Sequence, residues 1–578
     1  MRINVNNEKL TLVSLNFKYI YYLLVVVCLS VHFNCNSQPN EVGMPEDSFL
    51  DSPRIINIVN FIRQTDYRIE NSDNLLFEAV ENQIKLVNEY NFPATFLFQY
   101  DALINPAYQQ LMKTQLSPDC EIGAWWEITQ PHVEAAGIKW RGEHSWVSHA
   151  NIAFTTGYTP EEREKLVDVY MSKFKEIYGE YPRSVGSWFI DAHTLSYMVG
   201  KYKIVSSSNC KDQVGTDGYT LWGGYWNQAY YPSRYNAYMP AQTKENQIPV
   251  PVFRMLGSDP IYQYETGVGT NGQGVISLEP VYRESGKNRE WVKYFLESIV
   301  NQPSLAFNYA QAGQENSFTW SGMEEGLKMQ FPLFASLREE GKIRIETLEN
   351  TGKWFKDRFT MTPATAITTL TDIRNEGNKT VWFNSRFYRA SLLWEKDGFC
   401  FRDIHMFDEN LKSDYLTAPG TGNQFFYYTL PVIDRFYWST PEEKTGLQIM
   451  QLEDDGTVKE VVLKDPIVTE PSIDVLCVST SDSEGNRFEI VFYENKIDIS
   501  YKGDKKDFKW MMVLKVPESR KDRLPFESFE GTVLRAKFKG FPYKITCEGG
   551  FIQKGDKTEY DLKIVPNKHK LVINCANR

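Results

Sequence analysis

Apolar runs typical of buried strands alternate with amphipathic runs between residues 50 and 355. Residues 54–63 and 94–100 are continuous runs rich in β-branched or aromatic side chains, which is typical of strands covered on both faces. Between them, residues 74–90 place apolar side chains at helical spacing. The alternation continues with predicted strands at 120–126, 184–190, 203–207 and 305–310, and predicted helices at 160–178, 289–300 and 322–340.

The helix predicted at 160–178 has the clearest limits. Thr159 and Glu162 have the spacing of a capping box, Pro160 takes the first helical position, and Gly179 follows the last turn. Strands that alternate with such helices form parallel βα units, and closure of these units into a barrel is the usual solution at this length. We therefore predict a (β/α) barrel over residues 50–355.

The pattern changes near residue 360. Short alternating runs, such as residues 387–394, 458–463, 487–492 and 509–516, are separated by turns that contain Gly and Asp. Such spacing is typical of antiparallel sandwiches. The predicted fold class is α/β, with a (β/α)7-type barrel followed by a C-terminal antiparallel β-sandwich region over residues 360–578.

Charge and aromatic content narrow the class of ligand. The 578 residues include 63 Lys and Arg against 74 Asp and Glu, a net charge of −11, which argues against a nucleic-acid partner. Phe, Trp and Tyr make up 14% of the chain, and Tyr and Trp offer the flat apolar faces on which sugar rings stack. A glycan or oligosaccharide is the expected partner, although a large β-rich core would account for most of these aromatics.

The amino-terminal residues resemble a targeting segment. Lys9 and Lys18 precede an apolar run at 19–31, which is too short to span a bilayer but has the length of a signal-peptide core. Residues 1–38 are therefore predicted to direct export, either to the periplasm or, through a lipid anchor at Cys35, to the outer membrane or cell surface. The later cysteines are scattered singly and indicate neither a disulfide framework nor a zinc site.

Carboxylates follow several of the predicted strands. Because the carboxyl ends of barrel strands meet at one mouth, these side chains are expected to converge there. Two carboxylates facing a sugar bond are what glycoside hydrolysis requires. The structural alternative is that each one caps the following helix or pairs with an arginine. The candidate catalytic residues are Asp101, Glu127, Asp191 and Glu315.

Aromatic residues and a histidine near these carboxylates are candidates for substrate binding. Trp125, Trp126 and His193 lie one or two positions from Glu127 or Asp191. The segment 219–238 is dense in aromatics and interrupted by Gly and Pro, which indicates a long ordered loop. It is read either as a wall that stacks on sugars or as a loop buried under the β region. Its best candidates for stacking are Trp222, Tyr225 and Trp226.

Histidines suggest a metal site only weakly. Four of the seven histidines fall within the barrel, and together with Asp101 or Asp191 they would supply ligands for a divalent metal. No pair shows the helical i, i+4 spacing of a metal site, so no metal ligand and no cofactor is assigned. These histidines are His132, His144, His149 and His193.

Three segments carry a resemblance to a known superfamily: PATFLFQYDAL, CEIGAWWE and YPRSVGSWFIDAHTLSYM. The chain resembles the polysaccharide deacetylase and glycoside hydrolase type of (β/α)7 barrel, and it looks like a bacterial family in which this barrel precedes a β-rich domain. Metal-dependent deacetylases of that superfamily have paired aspartates after the first strand and two histidines after the third. Here Arg63-Gln64-Thr65-Asp66 follows the first strand, and Trp125 and Thr129 take the histidine positions.

The resemblance therefore implies that this barrel belongs with the glycosidases of the superfamily, in which carboxylates at the strand ends are the reactive groups. The sequence predicts an exported carbohydrate-active enzyme, a glycoside hydrolase in which Glu127 works with Asp191 or Glu315, while Asp101 and His193 orient groups or substrate. Two alternatives stay open. One is a non-catalytic glycan-binding protein on the same barrel, and the other is a metal-dependent polysaccharide deacetylase with atypical ligands.

Overall fold

The computed structural model describes residues 52–216, 218–396, 398–555 and 561–576. The predicted targeting segment, with Cys35, lies outside these residues. Among the residues described, no helix combines the length and the apolar character needed to cross a bilayer.

The amino-terminal half of the described chain alternates strands and helices. The strands are β1 (Arg54–Ile62), β2 (Ala94–Phe98), β3 (Glu121–Trp125), β4 (Ser184–Gly186), β5 (Ser206–Asn209), β6 (Gln213–Thr216), β7 (Tyr219–Trp222), β8 (Ala229–Tyr230), β9 (Val252–Arg254), β10 (Asn308–Ala312) and β11 (Arg344–Glu346). The helices are α1 (Ser72–Glu89), α2 (Tyr100–Ile104), α3 (Pro106–Gln115), α4 (Gln130–Ala135), α5 (Ala150–Ala153), α6 (Pro160–Tyr178), α7 (Ala192–Tyr202), α8 (Tyr262–Glu265), α9 (Arg283–Lys287), α10 (Arg289–Val300), α11 (Thr319–Glu339) and α12 (Leu348–Arg358).

The main sheet of this half is a nearly closed barrel. Its strand order is β10-β1-β2-β3-β4-β5-β9-β8, and β11 adds to β1. The strands from β10 to β9 in this order run parallel, whereas β8 pairs with β9 in the antiparallel sense. Parallel strands linked by helices place their carboxyl ends at one mouth. The predicted (β/α) barrel is confirmed.

A side-chain bridge links the two sides of the opening between β8 and β10. Gln228, just before β8, donates from Nε2 to Oδ1 of Asn308 at 2.9 Å, and Asn308 is the first residue of β10. Both residues are buried. The bond satisfies a buried side-chain donor and a buried side-chain acceptor at this opening.

Helix α6 shows why the local sequence folds as predicted. The Thr159 hydroxyl accepts from the amide of Glu162, and the Glu162 carboxylate accepts from the amide of Thr159. Gly179 ends the helix in the left-handed region, with φ of 87°. Leu166, Tyr170 and Phe174 face the barrel core, because they recur at helical spacing on one side.

The described part of the carboxy-terminal half is built mainly of antiparallel strands, with one short α-helix. The elements are β12 (Thr365–Thr369), β13 (Lys379–Asn384), β14 (Tyr388–Glu395), β15 (Gly398–Met406), β16 (Phe425–Tyr428), β17 (Leu430–Asp434), α13 (Arg435–Trp438), β18 (Leu447–Leu452), β19 (Val458–Glu460), β20 (Lys464–Ser472), β21 (Val475–Ser481), β22 (Arg487–Phe492), β23 (Lys496–Tyr501), β24 (Trp510–Leu514), β25 (Phe526–Glu530), β26 (Val533–Phe538), β27 (Phe541–Glu548), β28 (Gly550–Lys554), β29 (Leu562–Pro566) and β30 (Lys570–Asn574).

These strands form two large sheets that share one apolar core. The first has the order β12-β13-β14-β15-β18-β24-β29-β28, with β17 and β19 at its side, and the second has the order β20-β21-β22-β23-β30-β27-β26-β25. Buried residues of both sheets, such as Phe383 and Phe492, belong to one cluster, and these two rings stack at 5.2 Å. The predicted α/β class with a C-terminal antiparallel region is confirmed.

A small third sheet joins the two halves of the chain. Strand β16 pairs with β7 in the parallel sense, and β6 pairs with β7 in the antiparallel sense. The segment that contains β7 is the aromatic-rich segment 219–238. It therefore contributes to the junction between the barrel and the antiparallel sheets.

Candidate active site

A pocket of about 350 Å³ lies at the carboxyl ends of the barrel strands. It is lined by residues that follow β1, β3, β4 and β10, namely Arg63, Glu127, Trp188 and Glu315. A pocket at this edge is the usual place for a ligand site in a parallel barrel. Its wall also includes Asp66, Arg68, Ile69, Trp146, Ser148, Ala153, Phe154, Tyr282, Ser317 and Phe318.

Glu127 is held at the base of this pocket by four N–H donors. Arg63 donates from Nε and Nη2 to its two oxygens at 2.9 and 2.7 Å. Trp188 Nε1 donates to Oε1 at 2.7 Å, and Gln99 Nε2 donates to Oε2 at 2.5 Å. A carboxylate that accepts on both oxygens, including from a bidentate guanidinium, is held in one orientation by strong hydrogen bonds.

Glu315, which follows β10, contacts the same guanidinium from the other side of β1. Its Oε2 lies 2.9 Å from Nη1 of Arg63. The chain turns sharply at Gly313, where φ is 92° and a Cβ would meet the carbonyl oxygen of Val59 at 2.2 Å, so only glycine fits there. This turn brings the residues after β10 over the end of β1.

Asn316 fixes the two loops to each other. Its side chain accepts from the amide of Arg63 and donates to the carbonyl of Arg63, each at 2.9 Å. The backbone of Arg63 is therefore clamped directly to the β10 loop, next to Glu315. Such a reciprocal pair of bonds preorganises Arg63 between the two glutamates.

Asp66 and Arg68 form a second ion pair beside the first. Arg68 donates from Nε and Nη2 to Asp66 at 2.8 and 2.6 Å. Burial would raise the pKa of Asp66, but the hydrogen bonds from Arg68 and the charge of Arg63 lower it below its ordinary value. Both guanidinium groups lie over the ring of Trp146, at 4.2 and 5.0 Å from its centroid.

Asp101 lies behind the pocket and does not line it. It is buried in α2, where its Oδ1 accepts from the amide of Ala102 at 2.9 Å. Burial raises its pKa to about 7, with a smaller contribution from the negative charge of Glu127. Asp101 is therefore a buried acid near the candidate site with no direct access to a ligand in the pocket.

Asp191 has a structural environment outside the pocket. It caps α7 by accepting from the amide of Thr194, and it accepts from the hydroxyl of Thr155 at 2.7 Å. Its Oδ1 also lies 2.9 Å from Nη1 of Arg163, whose side chain is fully buried. The structure thus places Asp191 in the arrangement that the alternative reading described, a helix cap paired with an arginine.

Trp125 and Trp126 are buried in the barrel core. The ring of Trp125 stacks on Phe61 at 4.2 Å, and Trp126 packs edge-on against His132 and Tyr170. Neither indole lines the pocket. The aromatic residues that do line it are Trp146, Phe154, Trp188, Tyr282 and Phe318.

The aromatic segment 219–238 is buried at the junction with the antiparallel sheets. Trp222 donates to Asp434 at 3.0 Å, Tyr225 donates to the carbonyl of Pro363 at 2.7 Å, and Trp226 stacks on Trp382 at 4.0 Å with the rings 1° from parallel. All three side chains are fully or almost fully buried. This arrangement fits the reading of a loop covered by the β region, not that of a sugar wall.

The candidate histidines do not converge. His193 is partly exposed and lies 3.0 Å from Glu164, while His144 stacks on Tyr67. His132 is buried against the carbonyl of Leu166, and burial lowers its pKa to about 4. Within the described ranges, no group of three or more His, Cys, Asp or Glu side chains is arranged to hold a metal ion.

Sequence reasoning passed over three residues that shape the pocket. Arg63 and Trp188 follow strands just as the candidate carboxylates do, so the strand-end rule would have found them if it had been applied to cations and aromatics. Trp146 lies in the loop between α4 and α5, and no local pattern marks it. Its position over Arg63 is visible only in three dimensions.

Comparison with known proteins gives matches only among solved structures. No protein-family model and no curated protein matches the chain. The chain is similar to a "putative glycoside hydrolase/deacetylase" from Parabacteroides distasonis, with 14% identity over 68% of this chain and 89% of that chain and a TM-score of 0.48.

Two further similar structures are a "putative polysaccharide deacetylase" from Mycobacterium smegmatis and a "probable Polysaccharide deacetylase" from Pseudomonas aeruginosa PAO1. Each is 11% identical and covers 54% of this chain and 93% of its own, with TM-scores of 0.34 and 0.35. Identities this low carry no activity from one protein to another.

Proposed function

We propose that this protein is a carbohydrate-active enzyme, a glycoside hydrolase whose two reactive carboxylates are Glu127 and Glu315. The observation that carries the proposal is that both side chains line one pocket and contact the same guanidinium, that of Arg63. They come from strands far apart in the sequence, and glycoside hydrolysis needs two carboxylates at one sugar bond.

The contacts support a division of roles between the carboxylates of the pocket. Glu127 accepts from four N–H donors that fix its position, which suits the nucleophile or the base. Asp66 is kept ionised, because Arg68 and Arg63 lower its pKa. Glu315 is the remaining carboxylate among the lining residues, and we assign it the proton transfer to the leaving group, for which it takes up a proton from solvent before the sugar bond breaks.

Arg63 has a further use in this mechanism. When Glu315 gives up its proton it becomes an anion, and the guanidinium at 2.9 Å stabilises that anion. Trp146 and Trp188 line the pocket and supply apolar surface against which a sugar ring can pack. Asp191 and His193 have no place in this mechanism, because both side chains lie outside the pocket.

A non-catalytic glycan-binding protein is the second candidate. This candidate is favoured by the hydrogen bonds that Glu127 accepts from Arg63, Gln99 and Trp188. Each of these bonds would have to adjust as the charge on Glu127 changes during a reaction. In that case the pocket would hold a sugar by the same indoles and polar groups without cleaving it.

Hydrolysis of a glycan panel separates the two candidates. The full chain is incubated with plant, microbial and host oligosaccharides, and newly formed reducing ends are measured together with binding. The hydrolase proposal predicts turnover by the wild type, and a loss of about 10²- to 10⁴-fold in kcat for Glu127→Gln with binding retained. Binding without turnover in the wild type would favour the second candidate.

Glu121→Gln is the matched control. Glu121 lies on the same strand, β3, at the opposite end of the barrel, and it is also buried. The same chemical change there is expected to leave kcat unaltered.

Export of the protein is a separate proposal, based on residues 1–38 of the sequence. Cell fractionation of the full-length chain tests it, and labelling with a radioactive fatty acid distinguishes an anchor at Cys35 from simple cleavage. A Cys35→Ala variant is expected to lose the label if the anchor is present. A full-length chain found only in the cytosol would contradict export.

A further inference from the structure

A second pocket, of about 690 Å³, is lined in part by the segment that follows the wall of the first pocket. Tyr282 lines the first pocket and Arg283, the next residue along the chain, lines the second. We call this second cavity the basic pocket, and its lining residues are Tyr262, Arg283, Glu284, Lys287, Asn288, Trp291, Ile373 and Arg374.

The basic pocket concentrates positive charge in an acidic protein. Arg283, Lys287 and Arg374 face one carboxylate among the lining residues, Glu284, whereas the whole chain carries a net charge of −11. All three cationic side chains are exposed. Within the described part of the chain, none of the three takes part in an ion pair. Their charge is available to a ligand.

The carboxylates that lie nearby in the sequence have other partners. Asp372 accepts from the amides of Arg374, Glu376 and Asn378 and from the hydroxyl of Tyr262. The Oε2 atom of Glu376 lies 3.1 Å from the same hydroxyl. These bonds fix the loop that carries Arg374, whose guanidinium lies 3.8 Å over the ring of Tyr262. Arg374 is thus positioned by its stacking and not by a salt bridge.

We infer that the basic pocket binds a negatively charged sugar unit, a uronate or a sulfated sugar, of the glycan on which the enzyme acts. The inference rests on the proposed function and specifies its substrate class as an anionic glycan. Guanidinium groups pair with carboxylate and sulfate oxygens through parallel hydrogen bonds, and a lysine adds a compact third charge. A neutral sugar would leave these charges without counterparts.

Binding of charged and neutral oligosaccharides tests this inference. Calorimetric titrations of the full chain use tetragalacturonate, a chondroitin sulfate tetrasaccharide and neutral xylotetraose. We expect at least one charged probe to bind about tenfold or more tightly than xylotetraose, and the advantage to shrink as salt is added. Comparing the two charged probes identifies the anion that the pocket prefers.

The variant Arg283→Gln/Lys287→Gln/Arg374→Gln removes the charge of the basic pocket. It is expected to lose the tenfold advantage for the charged probe while its affinity for xylotetraose stays the same. The control Lys85→Gln/Lys113→Gln/Lys165→Gln removes three charges from exposed residues that line neither pocket, and it is expected to bind as the wild type does.

Two results would overturn the inference. One is a wild type that does not prefer either charged probe to xylotetraose, and the other is a triple variant that keeps the preference. Failure of the hydrolase proposal has a different signature, since the wild type would then show charge-dependent binding without forming reducing ends.

Discussion

Arg63 holds Glu127 by two parallel hydrogen bonds, from Nε at 2.9 Å and from Nη2 at 2.7 Å, at the mouth of the barrel. Its third nitrogen lies 2.9 Å from Glu315. Burial works against the charge of the guanidinium, but the two glutamates raise the pKa of Arg63 above its ordinary value, so it remains a cation. One buried arginine therefore organises both carboxylates of the candidate site.

Removal of this arginine is expected to destabilise the fold. Arg63→Met leaves two buried carboxylates without their shared cation, and loss of one partner from a buried ion pair costs about 3–5 kcal/mol. Urea unfolding followed by circular dichroism measures the difference. Arg283→Met, at an exposed arginine without an ion pair among the described residues, is the control and is expected to change stability by less than about 0.5 kcal/mol. Equal stability of both variants would contradict a structural role for the Arg63 ion pairs.

The buried acid Asp101 predicts a pH effect of definite sign. Its pKa is about 7 in the folded protein against an ordinary value of 3.8, so the folded state binds more protons between these values. Its contribution to stability is therefore fully present below about pH 4 and is lost as the pH rises to 7, by up to about 4 kcal/mol. In Asp101→Asn this loss is absent.

Unfolding free energies of the wild type and Asp101→Asn at pH 4, 5.5 and 7 measure the effect. The free energy of unfolding of the variant, relative to that of the wild type, is expected to increase steadily as the pH rises. The asparagine oxygen can still accept from the amide of Ala102, so the local bond is kept. A difference that does not vary with pH would show that Asp101 is ionised in the folded protein throughout this range.

Asp191 is predicted to matter for folding and not for chemistry. Asp191→Ala removes the cap of α7 and leaves the guanidinium of Arg163 buried without its carboxylate, at a cost of about 3–5 kcal/mol. Active-site titration of the folded fraction, combined with kcat measurements, separates the two effects. The remaining folded molecules are expected to keep the wild-type kcat. A hundredfold fall in kcat per folded molecule would instead show that Asp191 takes part in catalysis.

Replacement of Trp226 by alanine is predicted to lower stability, whereas replacement of Trp146 is predicted to weaken glycan binding. Trp226→Ala opens a cavity where its ring stacks on Trp382, and such truncations cost about 3–5 kcal/mol of stability. Glycan affinity of the folded protein is expected to persist. Trp146→Ala, in contrast, removes a wall of the pocket and is expected to weaken glycan binding. Loss of affinity in Trp226→Ala without a loss of stability would favour the sugar-wall reading of segment 219–238.

Local patterns predicted the elements because the forces that select them are local. The capping box at Thr159, the left-handed Gly179 and the helix at 289–300 all appear as expected. The apolar runs predicted as strands were longer than the observed ladders: the run at 184–190 corresponds to β4, Ser184–Gly186. Strand ends depend on the neighbouring strand, which the sequence pattern does not contain.

The candidate site was predictable only in part, because strand-end position does not determine the partner of a side chain. Glu127 and Asp191 both follow barrel strands in the sequence. Glu127 faces the pocket, while Asp191 begins a helix and meets Arg163, which lies 28 positions earlier in the chain. Aspartate is favoured at helix caps as well as in active sites, so both readings were available until the arginine was located.

The most direct test of the central claim is a mutant cycle on the two glutamates. kcat/KM is measured for the wild type, Glu127→Gln, Glu315→Gln and the double variant on a glycan that the wild type cleaves. If the two carboxylates act as one unit, either single change already loses most of the rate, and the double variant is no slower than the slower single variant. Losses that multiply in the double variant, an active single variant, or a wild type that cleaves no glycan would contradict the claim.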